Sequence, residues 1–243
     1  MGSVIVMTSG KGGTGKTTSA AAISSCLAAL GHRTLCVDCD IGLRNLDISL
    51  GMSDFTVTDI SDVAEGRVSV REAAHEHPRL PNLFFLAAPV YRAPEDIDPE
   101  AMAGLIAAAR EEYEYTILDA PAGIGAGFAL ATASADTAII VATGDLSSVR
   151  DAGRTRETLW NMGISDVRLL INRVERRKWK RFHTSVDDIV DSTGARLIGV
   201  VRDDDSVPEA AAADSPLVLY VGRGAAMDFL DVARRIQGEE IPI

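Results

Sequence analysis

The pattern of apolar and polar positions switches repeatedly between two periods. The runs "SVIVMT", "RTLCVD", "LFFLAA", "YTILDA", "TAIIVAT", "VRLLINR" and "RLIGVV" are of strand length and apolar almost throughout. Between them, "TTSAAAISSCLAALG", "PEAMAGLIAAAREEY", "SSVRDAGRTRETLWNMG" and "AAMDFLDVARRIQG" place apolar residues three and four apart, as one face of a helix requires. Strands apolar on both faces need cover on both, and helices alternating with them supply it. The pattern predicts an α/β fold, a mostly parallel central sheet with helices on both faces. No internal repeat, low-complexity linker or shift of composition divides the chain, so residues 1–243 read as a single domain.

Composition narrows the partners. The chain has 243 residues, 47% hydrophobic and 24% charged, enough to bury a full core. A net charge of −11 disfavours nucleic acid and anionic lipid as non-specific partners. No apolar run reaches the roughly 18 residues that span a bilayer, and the N-terminus lacks the basic start and apolar core of a signal peptide. Cys26, Cys36 and Cys39 are an odd set and read as reduced thiols. Cys36 and Cys39 fall at a strand end, where alternation sends side chains to opposite faces, so they are expected to point apart. The cytoplasm is the expected location.

The chemistry concentrates after the first strand. Gly10 to Thr17 reads GKGGTGKT, which fits G-x-x-x-x-G-K-[ST] between a strand and a helix. Glycines let backbone N–H groups converge on phosphate oxygens, and the helix N-terminus adds positive partial charge. Lys16 is expected on the β- and γ-phosphates and the Thr17 hydroxyl on Mg²⁺. A second lysine, Lys11, sits early in the loop. It is either an outward, solubilising charge or a positive charge delivered to the nucleotide of a second molecule, as an arginine finger is. Spacing does not choose between them. Asp38 and Asp40 end the second strand, where carboxylates of a parallel sheet face the ligand crevice; one would order a metal shell and the other orient an attacking water. Asp119 ends "YTILDA" ahead of the flexible "APAGIG" turn, as a metal-ordering aspartate before a switch loop does.

"SGKGGTGKTT" resembles the deviant Walker A motif of the MinD/ParA family of ATPases, whose signature lysine is the early one. The resemblance runs from Ser3 to about Ile243. It implies ATP and ADP as nucleotides, Mg²⁺, hydrolysis of ATP, and an ATP-dependent homodimer that sandwiches two nucleotides. It makes Lys11, Lys16 and Asp40 catalytic, with Lys11 acting across the dimer. The implied nucleotide-binding set is Gly10, Lys11, Gly12, Gly13, Thr14, Gly15, Lys16, Thr17 and Thr18, with Asn172 and Asp203 at the base. The implied metal set is Thr17, Asp40 and Asp119. "CDIGLRNLD" resembles the family's first switch, with Asp40 orienting the lytic water and Asn45 in the mobile part. "YTILDAPAGI" resembles the segment holding its Walker B aspartate, with Gly125 where members of the MinD type usually have glutamate. "GVVRDDDSVPEA" resembles "G-V-I-P-E-D-x-x-V", with Arg202 in place of the proline.

"TGDLSSVRDAGR" resembles a helix start that, in MinD-type members, contributes to the surface for MinC-like and MinE-like partners. Arg150 and Asp151 match, Gly153 replaces an acidic residue, and Ser147 or Ser148 is expected to start the helix. Those members usually end in a basic amphipathic helix that docks on the membrane. This chain stops at "RRIQGEEIPI", with acidic Glu239 and Glu240 and no amphipathic tail after it, so docking by that route is disfavoured, and the expected location is cytoplasmic or peripheral on the inner face of the cell membrane. The resemblance implies a spatial switch in the placement of the division site. The alternatives are a ParA-like partition ATPase that uses DNA, and a P-loop metabolic enzyme with a small-molecule acceptor. The basic cluster Arg173, Arg176, Arg177, Lys178, Lys180 and Arg181 around Trp179 reads as a solvated face or as a contact for lipid headgroups, DNA or an acidic partner, and it keeps the DNA-using alternative open. His75 and His77 in "HEHP" read as a surface loop, and His32 and His183 stand apart from them.

Overall fold

The computed structural model describes residues 1–42, 44–54, 58–175 and 185–243. Of the basic cluster, only Arg173 lies within them. Arg176, Arg177, Lys178, Trp179, Lys180, Arg181 and also His183 fall outside the described residues.

The glycine loop links β1 (Ser3–Thr8) to α1 (Lys16–Ala29), and β2 (Thr34–Asp38) follows. Three short helices, α2 (Leu46–Leu50), α3 (Ile60–Ala64) and α4 (Val70–Ala73), lead to β3 (His75–Glu76) and β4 (Leu83–Leu86). Then come α5 (Pro99–Glu112), β5 (Tyr115–Asp119), α6 (Ala126–Thr132), β6 (Thr137–Ala142), α7 (Leu146–Asn161) and β7 (Asp166–Val174). The chain continues through α8 (Val186–Thr193), β8 (Arg196–Arg202), α9 (Ser206–Ala212), α10 (Leu217–Tyr220) and α11 (Ala225–Ile236).

The strands form one sheet in the order β3-β4-β2-β5-β1-β6-β7-β8. Every pairing is parallel except β3 with β4. This is the predicted α/β architecture, and the seven apolar runs are its seven long strands. Strand alternation divides the core in two. Val4, Val6, Leu35 and Val37 pack on one face with Leu105, Ile106 and Leu159 from α5 and α7. Ile5, Met7, Cys36 and Ile117 pack on the other with Ile23, Leu27 and Phe229 from α1 and α11. Cys36 and Cys39 belong to opposite clusters, as alternation requires. All three cysteines are buried and free. Burial pushes the Cys26 thiol up to about 12, so it stays protonated and inert.

Two expectations need correction. "HEHP" is not a surface loop. His75 lies in β3, and His77 is 2% exposed. The His77 Nε2 lies 3.1 Å from the Leu50 carbonyl, and the Arg79 backbone N–H donates to its Nδ1 at 3.1 Å. Nδ1 accepts, so the neutral ring carries its proton on Nε2 and donates it to Leu50. Neither Ser147 nor Ser148 caps α7. Its cap is Asp145, whose carboxylate accepts from the Ser148 backbone N–H at 3.0 Å. The aspartate offers the stronger acceptor one turn earlier.

Candidate active site

Parallel pairing brings the C-terminal ends of β1, β2, β5 and β6 to one edge. There β1 and β6 are neighbours, and the connection from β1 runs towards β2 on one side while that from β6 runs towards β7 on the other. Such a switch point opens a crevice in the sheet edge. Asp38 pairs in register with Asp119, and Asp119 with Met7, so both carboxylates stand beside the loop that leaves β1.

The loop is shaped for a ligand. Gly13 and Gly15 have φ of 82° and 88°, a left-handed conformation that side chains resist. A Cβ on Gly15 would stand 2.3 Å from Asn172 Nδ2, and one on Gly10 would stand 2.5 Å from the Asp151 carbonyl in α7. A Cβ on Gly12 would meet nothing within 4 Å, and its φ is ordinary. No contact among the described residues requires glycine there, which leaves the space beside it open to a ligand. The helix behind the loop is open in the same way. Like α2, α6, α9, α10 and α11, α1 has no side-chain cap; it starts at Gly15, directly behind the glycine loop. Its first N–H groups are left for an anion.

The two lysines diverge. Lys16 is buried, and its Nζ donates to Asp119 Oδ1 at 2.6 Å and to the Thr17 hydroxyl at 3.2 Å. Lys11 keeps 46% of its side chain exposed and reaches the start of α7. Its Nζ lies 2.8 Å from the Ser147 hydroxyl and 3.3 Å from Asp145 Oδ1. Burial raises the pKa of Asp145, but bonds from Ser147, Thr143, the Ser148 backbone and Lys11 outweigh it and hold the carboxyl well below its ordinary value. Asp145 and Ser147 were not among the sequence candidates; only the fold brings α7 to the rim of the loop.

The carboxylates differ as well. Asp119 is 1% exposed, and burial raises its pKa against the opposing pull of Lys16 and Thr17. Its Oδ2 is buried without a hydrogen-bond partner. Asp38 is fully buried. Its Oδ1 accepts from the Asp40 N–H at 2.9 Å, and its Oδ2 from those of Asn45 and Leu46 at 3.2 Å each. Burial first and the charge of Asp119 second raise its pKa to about 6. Asp38 thus ties both ends of the 40–46 loop to β2, while Asp40 stays partly exposed on that loop.

Mg²⁺ fits this set. Among the described residues, no three His, Cys, Asp or Glu side chains converge as a closed metal cage. One buried carboxylate with a vacant oxygen beside a hydroxyl and an uncapped helix start suits a cation that completes its shell with phosphate and water.

A cavity of about 330 Å³ adjoins the loop, lined by Gly15, Thr18, Asn172, Arg202, Asp203 and Phe229 among others. Asn172 was expected only to read a base. Its Nδ2 also donates to the Thr14 carbonyl at 2.9 Å, which braces the glycine loop.

This geometry defines a deviant P-loop nucleotide-binding fold of the kind that carries two loop lysines. Residues 5–217 match the CobQ/CobB/MinD/ParA nucleotide binding domain. The chain is 38% identical to the septum site-determining protein MinD of Bacillus subtilis, over 100% of this chain and 92% of that one. It superposes on MinD in the MinC:MinD cell division complex of Aquifex aeolicus with a TM-score of 0.92 and 39% identity, covering 99% of this chain and 98% of that one. MinD of Pyrococcus horikoshii, solved with Mg-ADP, gives a TM-score of 0.85 and 26% identity, with coverage of 97% and 96%. The chain belongs to the CobQ/CobB/MinD/ParA nucleotide-binding family and, within it, to the MinD-like cell-division ATPases.

Proposed function

We propose that this chain is a nucleotide-driven switch in division-site placement: ATP joins two copies face to face, and hydrolysis to ADP and phosphate releases them. The observation that carries the reading is the divergence of the two lysines. Lys16 is buried against its own Asp119, whereas Lys11 is half exposed on the rim and held only by the start of α7. A cation placed there is available to a second molecule. Apolar exposure on the same edge supports a face-to-face partner. Tyr91, after β4, is 97% exposed; Ile124, after β5, 60%; Leu146, after β6, 68%.

The roles follow from the chemistry. Backbone N–H groups of Gly10 to Thr18, with Lys16, hold the phosphates. Thr17, Asp119 and Asp40 would hold Mg²⁺, which neutralises phosphate charge when bound. Asp40, on the loop anchored by Asp38, orients the attacking water and draws on its proton as the oxygen advances. Lys11 of one copy offsets the charge that builds on the nucleotide of the other. Asn172 and Asp203 face the base. Asp151 presses its carbonyl on Gly10, so movement of the glycine loop is felt along α7, and a MinC-like partner on that helix would read it. Among the described residues no helix is long and apolar enough to cross a membrane, and the switch would work in the cytoplasm.

The test is molar mass by light scattering, with Mg²⁺ and either ADP or a slowly hydrolysed ATP analogue. Wild type should double its mass with the analogue alone, and Lys11→Ala should stay monomeric with both. A monomer throughout, with nucleotide bound, would refute the sandwich and favour an enzyme with a small-molecule acceptor.

A further inference from the structure

The wall of the cavity beyond the glycine loop is built in a way the family pattern does not foresee. Where that pattern has proline, Arg202 ends β8 and grips Asp228 of α11. Its Nε and Nη2 donate to Asp228 Oδ2 and Oδ1, each at 2.7 Å, and its backbone N–H donates to the same Oδ2 at 3.0 Å. Such a fork fixes orientation as well as distance. Two residues on, Asp204 makes a second attachment to the same helix. Its Oδ2 accepts from the Ala225 N–H at 2.9 Å and its Oδ1 from the Ser206 N–H at 3.0 Å. Gly224, at φ 64°, makes that approach possible; a Cβ there would stand 2.0 Å from Asp204 Oδ2. Asp203 lies between the two attachments, and its own N–H donates to the Val174 carbonyl at 3.2 Å. The 202–205 segment is therefore pinned to α11 and β7, and all four of its residues line the cavity.

We infer that the Arg202–Asp228 fork is a clamp that sets the base-binding wall, which makes Arg202 and Asp228 positioning residues for base affinity. The inference rests on the reading of this cavity as the base site. Arg202 keeps 59% of its side chain exposed and Asp228 14%, so an exposed pair of this kind adds little to global stability. What the fork supplies is placement. Without it, Asp203 and Asp205 sit on a loop held at two points instead of three. Binding a base then requires ordering that loop, and affinity falls by the cost of the ordering. The phosphates are held elsewhere, by the loop of Gly10 to Thr18, and their affinity should not change.

The experiment is calorimetric titration of wild type, Arg202→Ala, Asp228→Ala, Asp228→Asn and the double alanine variant with Mg-ADP and, separately, with Mg-pyrophosphate. Melting temperatures of the variants report that the fold is intact. Each single variant should weaken ADP on the order of tenfold, as loss of a charge-assisted bond does. The double variant should be no weaker than Asp228→Ala, which already removes both the fork and the backbone bond that Arg202→Ala retains. Pyrophosphate affinity should hold, and KM for ATP should rise with kcat unchanged. Unchanged ADP affinity overturns the clamp. Loss in Arg202→Ala without loss in the Asp228 variants also overturns it, because Arg202 then touches the base directly. Parallel losses for ADP and pyrophosphate overturn it too, because the damage has then reached the glycine loop. A wild type that binds ADP no better than pyrophosphate would sink the underlying base-site reading itself.

Discussion

Two glycines two residues apart in the same loop answer to different constraints. A side chain at Gly10 collides with the backbone of α7, at 2.5 Å from the Asp151 carbonyl, and a backbone atom does not swing aside. A side chain at Gly12 collides with nothing in the chain. Gly10→Ala should lower stability by about 1–3 kcal/mol through overpacking. Gly12→Ala should leave it unchanged or raise it by about 0.4–1 kcal/mol through the unfolded state. Its ATP hydrolysis should nevertheless fall at least about tenfold, because in the proposed sandwich the added methyl group would crowd the phosphates and the partner copy. Thermal melting and phosphate release on the two variants check this. A Gly12→Ala protein that hydrolyses ATP normally would remove the argument that the ligand imposes glycine there. Lys11 makes the same point about context. Its position in the loop is plain in the sequence, but the Asp145 and Ser147 partners that hold it are 134 and 136 residues away and belong to no motif.

Long elements were legible because their periodicity is strong; short ones were not. The seven apolar runs are strands, and the four long helical stretches are α1, which is buried nearly all round, and α5, α7 and α11, which are amphipathic. The strand-end positions of Asp38 and Asp119 were legible, since β2 and β5 stop at them, whereas Asp40 lies on the loop that follows β2. β3 was missed because it is the dipeptide His75–Glu76, too short to show alternation. His77 was misread for a related reason. Nothing local marks it as buried, since its partner, Leu50, closes α2 from 27 residues away. That contact has a consequence for pH. Burial lowers the His77 pKa in the folded state, with the Leu50 carbonyl opposing. The unfolded chain then takes up a proton more readily, so stability is present above the ordinary imidazole pKa of about 6.5 and is lost as pH falls below it. Asp38, raised to about 6 from an ordinary carboxylate value, acts in the opposite sense, favouring the fold as pH falls through 6. The difference between proteins isolates the histidine. Urea midpoints for wild type and His77→Gln, measured from pH 7.5 to 5.5, should show the steeper fall in wild type. Equal slopes would mean that the buried ring does not titrate with folding.

Coupling of nucleotide, dimer and fold makes a demand on the whole molecule. The sheet is mostly parallel and apolar on both faces, while the loops that would answer to nucleotide all leave one edge. A ligand that joins those loops should stabilise the entire chain. At about a hundred times its dissociation constant, a nucleotide bound only to the folded state adds about 2.7 kcal/mol, or about 5–10 °C in Tm for a protein of this length. Both Mg-ADP and a Mg-ATP analogue should produce that rise, and chelating the metal should reduce it. Only the ATP analogue should then make Tm depend on protein concentration. A dimer that dissociates on unfolding is favoured by mass action, whereas a monomer with ADP melts at the same temperature at any concentration. Lys11→Ala separates the two effects, because Lys16 and the uncapped start of α1 remain for the phosphates. Scanning wild type and Lys11→Ala over a tenfold range of protein concentration decides the matter. Wild type should melt higher at the higher concentration with the analogue, and the variant should show nucleotide stabilisation alone. Concentration dependence that survives in Lys11→Ala would mean that the copies associate without the rim lysine, and its role across the dimer would have to be given up.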